Sequence, residues 1–490
     1  MSPALLLSFV LGYFLLLFAV AWFTSRGASN DTFFVGNRAS HWGLVAFGMV
    51  GTSLSGVTFI SVPGSVGVNH WHYLQVVLGQ TLGYLIVVFV LLPLYFRLGL
   101  TSIYGYLAHR LGPRSYRTGS GIFLLSRTLG ATARLYLVVA VLQDSILASF
   151  GLPFWLSATV ILLMILLYTV NGGVKTIVWT DSLQTTGMLL GLLVCVGCLL
   201  HGLNMPWQQS LHAVRDSGLA TVFNPDPNAA SFWLKQVVAG IFIAVAMTGL
   251  DQEMMQKSLS VNTLRGAQKN MLWLSVILLM VVTLFLFLGA LLHLYAAQMG
   301  LDARGDKLFA AVVLGYLPVA VQVLFVIALI SALFPSADGA LTALTISFCI
   351  DQLGMQRRAD WSEARRTAIR IQVHVAFALL FLLLVMVFRW ADSASMIGLV
   401  LKLAAFTYGP LLGMFAFGLL TRRVVMDRCV PWVAAAAPGF CWALDTWQAD
   451  LFPHWRIGLE LLLINGAMTF GGLWALSKPD SVQTVQTVQP

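Results

Sequence analysis

The sequence predicts an all-α integral membrane protein with about thirteen transmembrane helices, judged by span length. Of its 490 residues, 59% are hydrophobic and only 10% are charged, whereas a soluble domain carries about 25% charged residues. Apolar stretches of about 20 residues recur along the chain, each long enough to cross roughly 30 Å of hydrocarbon. The short alternating segments that are typical of a transmembrane β-barrel do not recur in it.

The predicted spans form one transmembrane domain over residues 1–477, followed by a polar tail at 478–490 that we expect to be cytoplasmic and disordered. One longer polar loop separates the sixth span from the seventh. The spans cover approximately residues 4–23, 41–68, 73–98, 120–149, 153–168, 176–200, 233–255, 270–297, 310–350, 371–388, 394–420, 430–444 and 457–476.

The basic residues predict the orientation. A net charge of +9 reflects loop charge rather than nucleic-acid binding, because Arg and Lys accumulate in cytoplasmic loops. One side of the predicted topology collects Arg26, Arg38, Arg97, Arg110, Arg114, Arg117, Lys175, Lys257, Arg265, Lys269, Arg357, Arg358, Arg365, Arg366, Arg370, Arg422, Arg423, Arg428 and Lys478. The other side has only Arg215, Lys235, Arg304, Lys307, Arg389 and Arg456. We therefore expect a multi-pass protein of the cell (inner) membrane, with its N-terminus outside and its C-terminus in the cytoplasm.

The sequence lacks the usual signatures of enzymes. It has no GxSxG, no HExxH and no phosphate-binding P-loop. These absences argue against catalysis and against an ATP-driven pump within this chain. The five cysteines and the His70–His72 pair bring no further metal ligands with them, so they predict no metal or redox site.

The second predicted span is unusual, reading GMVGTSLSGVTFISVPGS. Its glycines and Pro63 weaken a helix, and Ser53, Ser55 and Thr58 add hydroxyl groups. Irregular backbone at membrane depth is tolerated where it lines a cavity or is buried in protein, and freed carbonyls can then bind a cation. This predicts a binding segment, although a small-residue packing face is the alternative.

The ninth predicted span combines helix breakers with a carboxylate. Asp338, Thr342 and Thr345 follow helical spacing and share one face. Such oxygen ligands suit a small cation, and an ionisable residue at this depth is a functional candidate. The alternative is that Asp338 pairs with a structural Arg. Asp181, inside the sixth span, has the same two interpretations: an ion ligand or an interfacial residue.

Two arginines in the fourth span, Arg127 and Arg134, are seven residues apart and share a face. Arg134 lies deep, and it could hold an anionic substrate group, because guanidinium binds carboxylates through paired hydrogen bonds. It could equally be the structural partner of Asp338 or Asp144.

Three further polar residues fall inside predicted spans. Lys402 is interpreted as one half of a structural ion pair. Gln75 and Gln80 are weaker candidates for a polar pocket.

Several segments together resemble the sodium:solute symporter family, which includes galactose, proline and sialic acid transporters. These segments are DTFFVGNR, GTSLSGVTFISVP, TSIYGYLAHRLG, GGVKTIVWTDSLQ, DQEMMQKSLS and GPLLGMFAFGLLTRR. The resemblance implies the leucine-transporter fold, a five-plus-five inverted-repeat core over about 41–421 with a broken core helix 1. An extra helix precedes the core at 4–23, and extra helices follow at about 430–476. Core helix 1 is then the second span and core helix 8 the ninth.

The resemblance also implies ion sites. The family's shared sodium site falls on Gly51, Leu54, Ala332, Pro335 and Ser336. Pro335 departs from the family pattern, because it has no hydroxyl where a ligand hydroxyl is expected. A second ion site found in some members would involve Asp181, Asp338 and Gly339, where Asp338 adds a charge that could compensate for Pro335.

The substrate contacts implied by the sialic acid transporters fall on Ser53, Ser55 and Thr58, to which we add Gln80 and Arg134 as candidates. The anion-binding arginine of those transporters falls near Gly130, one turn from Arg134. That position therefore does not support sialic acid itself, although an anion stays an option.

Together these observations predict a secondary active transporter that imports a small organic solute with Na+ by alternating access. Proton coupling through Asp338 and Asp181 is the alternative mechanism. The alternative of another class is a membrane ligand sensor, but such sensors usually append a signalling domain and only a short tail follows Lys478. The expected partners are the lipid bilayer and a small solute that could be anionic, with no nucleic acid.

Overall fold

The fold was analysed in a computed structural model, which describes residues 3–25, 33, 40–145, 147–170, 173–391 and 396–479. The predicted disordered tail lies outside these residues from position 480 onward. The described chain is almost entirely helical, with one two-stranded antiparallel ribbon formed by β1 (Val424–Val425) and β2 (Ser477–Lys478).

The helices are numbered here in chain order. They are α1 (Pro3–Ser25), α2 (Trp42–Ser53), α3 (Gly56–Asn69), α4 (Tyr73–Arg97), α5 (Gly105–Arg110), α6 (Pro113–Ser145), α7 (Phe154–Thr169), α8 (Gly173–Gly202), α9 (Trp207–Asp216), α10 (Trp233–Gly249), α11 (Gln252–Leu259), α12 (Leu264–Met299), α13 (Leu308–Tyr316), α14 (Val319–Ser347), α15 (Glu363–Ala391), α16 (Met396–Leu420), α17 (Val430–Leu451) and α18 (Leu461–Ala475).

Membrane-spanning helices dominate the described part of the chain. Eight helices are long and apolar enough to cross a bilayer, and two bent pairs raise this number to ten when each pair counts as one span. The three other predicted spans correspond to the shorter apolar helices α7 and α18 and to α17. The all-α membrane class is therefore confirmed, and within the described ranges each predicted span overlaps a helix or a helix pair.

Two segments differ from the prediction. Residues 310–350 were expected to form one span, but the chain turns at Leu317–Pro318 and separates the short α13 from α14. α14 itself continues through Pro335 without a break. The expected polar loop after the sixth span contains the amphipathic α9, whose Ser210 and Val214 face inward.

The two bent pairs have corresponding positions in the chain. α2 and α3 meet at 55°, and α10 and α11 meet at 64°. Counted along the chain, the α2–α3 pair is the second span and the α10–α11 pair is the seventh, so four spans lie between the two broken ones. This spacing matches two five-helix units that each begin with a broken helix.

The core is centred on α14. Every residue from Ala328 to Ser347 is buried, and this helix packs against α2, α3, α6 and α8. In contrast, α15 exposes much of its surface, including Leu379, Leu383 and Trp390. Exposed apolar residues on an outer helix are suited to contact with lipid tails.

Basic loops cluster at one face of the bundle. Arg110 donates to the carbonyl of Thr421 at 2.6 Å, and the Arg357 guanidinium lies over the Tyr116 ring at 5.7 Å. At the opposite face, the Lys235 ammonium donates to the Arg456 carbonyl at 3.1 Å. Each of these contacts joins segments that were predicted to lie on the same side, whereas Lys257, which was predicted in a basic loop, is buried. The orientation of the chain in the membrane stays a prediction.

Candidate functional site

The break between α2 and α3 opens the helix at the predicted place. Leu54 donates its N–H to Val50 at 2.8 Å and then leaves helical geometry, with ψ at 76°. Ser55 is extended before α3 begins at Gly56. Because the last carbonyls of a helix have no intrahelical partners, the oxygens of Gly51 and Leu54 are available for a ligand.

A cavity of about 120 Å³ lies against this break. All five residues predicted to contact substrate line it: Ser53, Ser55, Thr58, Gln80 and Arg134. Apolar side chains of α10, α12 and α16 complete the wall, among them Ile243, Leu278 and Val400. The tertiary structure therefore brings α2, α3, α4 and α6 together around one space, as the sequence prediction requires.

The two arginines of α6 both reach this cavity, but they differ in pairing. Arg127 forms an ion pair with Glu253 and lies 3.8 Å from Asp251. Asp251 also accepts a hydrogen bond of 2.6 Å from Tyr408. The charge of Arg127 is thus neutralised by carboxylates of the second broken pair.

Arg134 makes no hydrogen bond and no ion pair with any residue in the described part of the chain. The sequence left Asp338 and Asp144 as its alternative partners. Asp338 instead accepts a hydrogen bond of 2.6 Å from Tyr168, and Asp144 is exposed. A charged guanidinium on the wall of a membrane-embedded cavity raises the free energy of the protein unless an anion or water contacts it.

The residues implied for the shared sodium site lie together. A side chain at Gly51 would come within 3.5 Å of the Pro335 ring, and one at Gly56 would come within 3.8 Å of the Leu333 backbone. The α2–α3 break therefore faces the stretch of α14 that contains Ala332, Pro335 and Ser336.

The chemistry of this contact suits a small cation. The hydroxyl of Ser336 is buried and has no hydrogen-bond partner among the described residues, although buried polar atoms are normally satisfied. The neighbouring residue Pro335 is the one that Gly51, at the end of α2, approaches. Pro335 contributes a ring in place of the expected hydroxyl, so of the implied ligands Ser336 alone would offer a side-chain hydroxyl, beside backbone oxygens.

The residues implied for a second ion site surround a lysine. Asp181 accepts a hydrogen bond of 2.7 Å from the ammonium of Lys257 and one of 3.2 Å from the hydroxyl of Thr52. Lys257 also donates to Thr52 at 2.7 Å. A side chain at Gly339 would come within 3.1 Å of the same ammonium. Asp181 is therefore buried rather than interfacial: the salt bridge holds one carboxylate oxygen, while its Oδ1 has no hydrogen-bond partner among the described residues.

The two hydroxyl groups predicted to share a face of α14 have different surroundings. Thr345 lies 2.9 Å from His374 of α15, whereas the buried hydroxyl of Thr342 has no partner within the described ranges. Asp338 and Thr345 are thus engaged by Tyr168 and His374, while the Thr342 hydroxyl stays available to a ligand.

The three remaining polar residues of the predicted spans, Lys402, Gln75 and Gln80, have different surroundings. Lys402 was expected to form a structural pair, and it contacts Asp445 at 2.7 Å. Its side chain is 54% exposed rather than buried. Gln75 donates to the carbonyls of His72 and Ser231, so it supports the backbone, whereas Gln80 faces the cavity.

The sequence prediction missed the charged centre of the second broken pair. Lys257 was assigned to a basic loop, but its side chain is only 4% exposed. Asp251 caps the N-terminus of α11 by accepting from the backbone N–H groups of Glu253 and Met254. The signal was present, because the segment DQEMMQK places three charges directly after an apolar run.

The chain resembles known proteins over most of its length. A family model described as "Sodium:solute symporter family" matches residues 33–427. The sodium/sialic acid symporter NanT of Aliivibrio fischeri is 23% identical over 470 residues, covering 91% of this chain and 89% of NanT. The sodium-dependent multivitamin transporter of Oryctolagus cuniculus is 26% identical over 391 residues, covering 76% of this chain. The match spans only 59% of that transporter's own length.

Solved structures share the fold. A Na+-coupled sialic acid symporter in a substrate-bound outward-open state superposes with a TM-score of 0.82 at 16% identity, covering 96% of this chain and 98% of that one. Mhp1, a nucleobase-cation-symport-1 family transporter, superposes with a TM-score of 0.58 at 15% identity, covering 90% and 93% of the two chains. The leucine-transporter fold with a broken core helix 1 is confirmed. The chain belongs to the sodium:solute symporter family: it is a multi-pass membrane transporter and not an enzyme, with Na+ as its coupling ion.

Proposed function

We propose that this chain imports a small organic anion together with Na+ by alternating access, and that Arg134 binds the anionic group. The observation that carries the proposal is the unpaired guanidinium of Arg134 on the wall of a cavity at membrane depth. Arg binds carboxylates through two parallel hydrogen bonds. Its neighbour Arg127 is already neutralised by Glu253, so Arg134 is the cation left to meet a substrate.

The cavity favours a compact substrate. Each water-sized group needs about 10–15 Å³ of this kind of space, so about 120 Å³ holds on the order of ten such groups. Ser53, Ser55, Thr58 and Gln80 add hydrogen-bonding groups around the same space. A short carboxylate with one or two polar substituents fits both the volume and the chemistry.

The relatives support an anion without specifying one. Their names include sialic acid symporters and sodium-coupled monocarboxylate transporters. Gly130 stands near the position implied for the arginine of the sialic acid transporters, and an added side chain there would meet nothing within 4 Å. We therefore infer that this chain recognises its anion from Arg134, one turn farther along α6.

Sodium would act at the contact between the α2–α3 break and α14. In the proposed cycle, Na+ is held by the carbonyls of Gly51, Leu54 and Ala332 and by the hydroxyl of Ser336. It thereby stabilises the geometry in which Ser53 and Ser55 face the substrate. Helix movement would then expose both solutes to the cytoplasm. The membrane potential contributes about 2.3 kcal/mol per net charge moved for each 100 mV, so it adds to the drive only when the Na+ ions outnumber the negative charges of the substrate.

Uptake by purified protein in proteoliposomes tests the proposal. Radiolabelled short carboxylates, an uncharged sugar and an amino acid are compared under an inward Na+ gradient. We expect Na+-dependent uptake of one or more carboxylates and no uptake of the sugar. Sugar uptake without carboxylate uptake would contradict the anion assignment.

The same vesicles decide between sodium and proton coupling. A pH gradient imposed without Na+ should drive no uptake, because Asp338 accepts from Tyr168 and Asp181 pairs with Lys257. Uptake that follows the pH gradient and ignores Na+ would favour the proton mechanism.

A further inference from the structure

We propose that an arginine-lined cavity at one end of the bundle binds the phosphate of an anionic lipid headgroup. The cavity has a volume of about 510 Å³, about four times that of the cavity at the α2–α3 break. Four arginines line it, namely Arg114, Arg117, Arg357 and Arg358. The two cavities share no lining residue, so this inference goes beyond the proposed function.

The four guanidinium groups come from two segments of the chain. Arg114 and Arg117 are three residues apart at the start of α6, so they share a helix face. Beyond the end of α14, Gly354 adopts a φ of 65°, a conformation that glycine reaches at little cost. The chain then turns back toward α6, where the Arg357 guanidinium lies 5.7 Å from the centroid of the Tyr116 ring. The backbone therefore brings both pairs of arginines to one cavity.

These guanidinium groups lack anionic partners. Within the described ranges, none of the four forms an ion pair. Asp351 lies in the cavity wall, but its carboxylate accepts hydrogen bonds from Ser102 at 3.0 Å, from Ser347 at 2.6 Å and from Tyr116 at 2.8 Å. Three hydroxyl groups thus satisfy this carboxylate, and the wall keeps an excess of positive charge.

The helix dipole of α6 adds to this positive potential. Its N-terminal end carries a partial positive charge and favours acidic side chains in the first turn, yet Arg114 and Arg117 lie there. Asp427 accepts hydrogen bonds from the backbone N–H groups of Arg114 at 2.8 Å and Ser115 at 2.7 Å. It therefore caps the helix, while the two guanidinium groups stay available to another anion.

The position of the cavity favours a lipid headgroup. It lies at the ends of two spans, Pro113–Asp144 and Val319–Gln352, on the face predicted to be cytoplasmic. In the adjoining loop, the guanidinium groups of Arg358 and Arg365 lie 5.0 Å and 5.2 Å from the centroid of the Trp361 ring. Tryptophan is enriched at membrane surfaces, and basic pockets between transmembrane helices on the cytoplasmic side bind anionic headgroups.

Both the charge and the volume suit a phosphate-bearing headgroup. Arginine contacts phosphate oxygens through two parallel hydrogen bonds, so guanidinium groups from opposite segments can hold one phosphodiester between them. With about 10–15 Å³ for each water-sized group, about 510 Å³ holds on the order of 40 such groups. This is enough for a phosphate with its glycerol groups.

Binding of phosphatidylglycerol to the purified full chain in detergent tests the inference without substrate or Na+. The affinity is measured by titration with native mass spectrometry. We expect phosphatidylglycerol to bind more tightly than phosphatidylcholine, which has the same phosphodiester but no net charge. Arg117→Gln combined with Arg357→Gln removes one guanidinium from each segment. Each loss should lower the affinity about fivefold, so the double variant should bind roughly 30-fold more weakly.

The matched control combines Arg265→Gln with Lys269→Gln. These two cations are also exposed at the start of a span, α12, on the same predicted face, but they do not line the cavity. Affinity for phosphatidylglycerol should stay close to native in this control. Equal losses in the two double variants, or equal binding of the two lipids by the native chain, would overturn the inference.

Sodium phosphate distinguishes a lipid headgroup from a free phosphate. We expect phosphate not to displace phosphatidylglycerol from the native chain, because the lipid is also held by its tails in the detergent micelle. Displacement by phosphate alone would overturn the lipid assignment. If the double variant does not fold, Arg358→Gln at an exposed position replaces it, with an expected loss of about fivefold. None of these outcomes bears on transport, because neither substrate nor Na+ takes part.

Discussion

The two broken helices of this transporter occupy corresponding positions in the fold, but they are built from opposite chemistry. The α2–α3 break, around Leu54 and Ser55, contains only hydroxyls and backbone groups. The α10–α11 break, around Leu250 and Asp251, is followed by Glu253 and Lys257, which are both buried and paired. The α2–α3 break, called the uncharged break below, offers hydroxyl and carbonyl groups to a ligand. The α10–α11 break, called the charged break below, carries side-chain charges that pair with neighbouring residues.

This difference separates binding from support. At the uncharged break, the Ser336 hydroxyl and the Arg134 guanidinium lack partners among the described residues, so mobile ions and solutes can complete the site. At the charged break, Asp181 and Arg127 are joined to α11 by salt bridges. We infer that the first break binds the cargo and that the second holds the surrounding helices in place.

The largest expected effect is a loss of folding stability when an ion pair at the charged break is removed. Asp181→Ala leaves the Lys257 ammonium without its shortest ionic contact, and breaking a buried pair costs about 3–5 kcal/mol of folding free energy. The loss is measured by denaturant unfolding of the purified protein in detergent. Asp445→Ala removes the partner of the half-exposed Lys402 and should cost at most about 1 kcal/mol. Equal costs for the two variants would remove the distinction between the charged break and an ordinary surface pair.

The next effect is on transport rather than stability. Arg134→Gln should weaken binding of the anionic substrate by about 2–5 kcal/mol, which is roughly 30-fold or more. Its thermal stability should stay close to native, because Arg134 has no protein partner in the described chain. The readouts are the substrate KM in proteoliposomes and the melting temperature. A large fall in stability with an unchanged KM would instead assign Arg134 a structural role.

A smaller effect is expected at the sodium contact. Ser336→Ala removes the one side-chain hydroxyl assigned to the ion, and apparent sodium affinity should fall by roughly fivefold, equivalent to about 1 kcal/mol. Thr342→Val is the control, because it deletes another buried, unpartnered hydroxyl of the same helix. Sodium affinity should be unchanged in this control. Similar losses in both variants would show that the effect arises from α14 as a whole.

The smallest expected effect is an increase in sodium affinity. Pro335→Ser supplies the hydroxyl that the family pattern places at this position, and sodium affinity should rise by roughly two- to fivefold. Pro438→Ser, on the outer helix α17, controls for relief of a helical proline. No gain at position 335 would mean that the carbonyls already complete the site.

The sequence was most informative where a property is local. Glycines and hydroxyls at 48–58 predicted the break in the second span, because helix weakness depends on neighbouring residues. Spacing on one helix placed Arg127 and Arg134 on a common face. Span lengths predicted the membrane class, since they depend only on continuous hydropathy.

It was least informative where a charge is satisfied from a distant part of the chain. Lys257 follows the apolar run of α10, and by position alone it resembles a loop cation. Its partners Asp181 and Thr52 lie on other helices, at separations of 76 and 205 residues along the chain. Pairing across such distances is decided by how α2, α8 and α11 pack.

The sequence by itself therefore determined the bilayer-spanning helices, the family and the first broken helix, because hydrophobic length and helix breakers act through consecutive residues. Tertiary structure alone decided which buried charges remain free. Arg127 and Arg134 share a helix face and a residue type, yet only Arg127 meets a carboxylate of α11. The candidate for binding an anion is thus defined by the packing of its neighbours and not by its own position in the sequence.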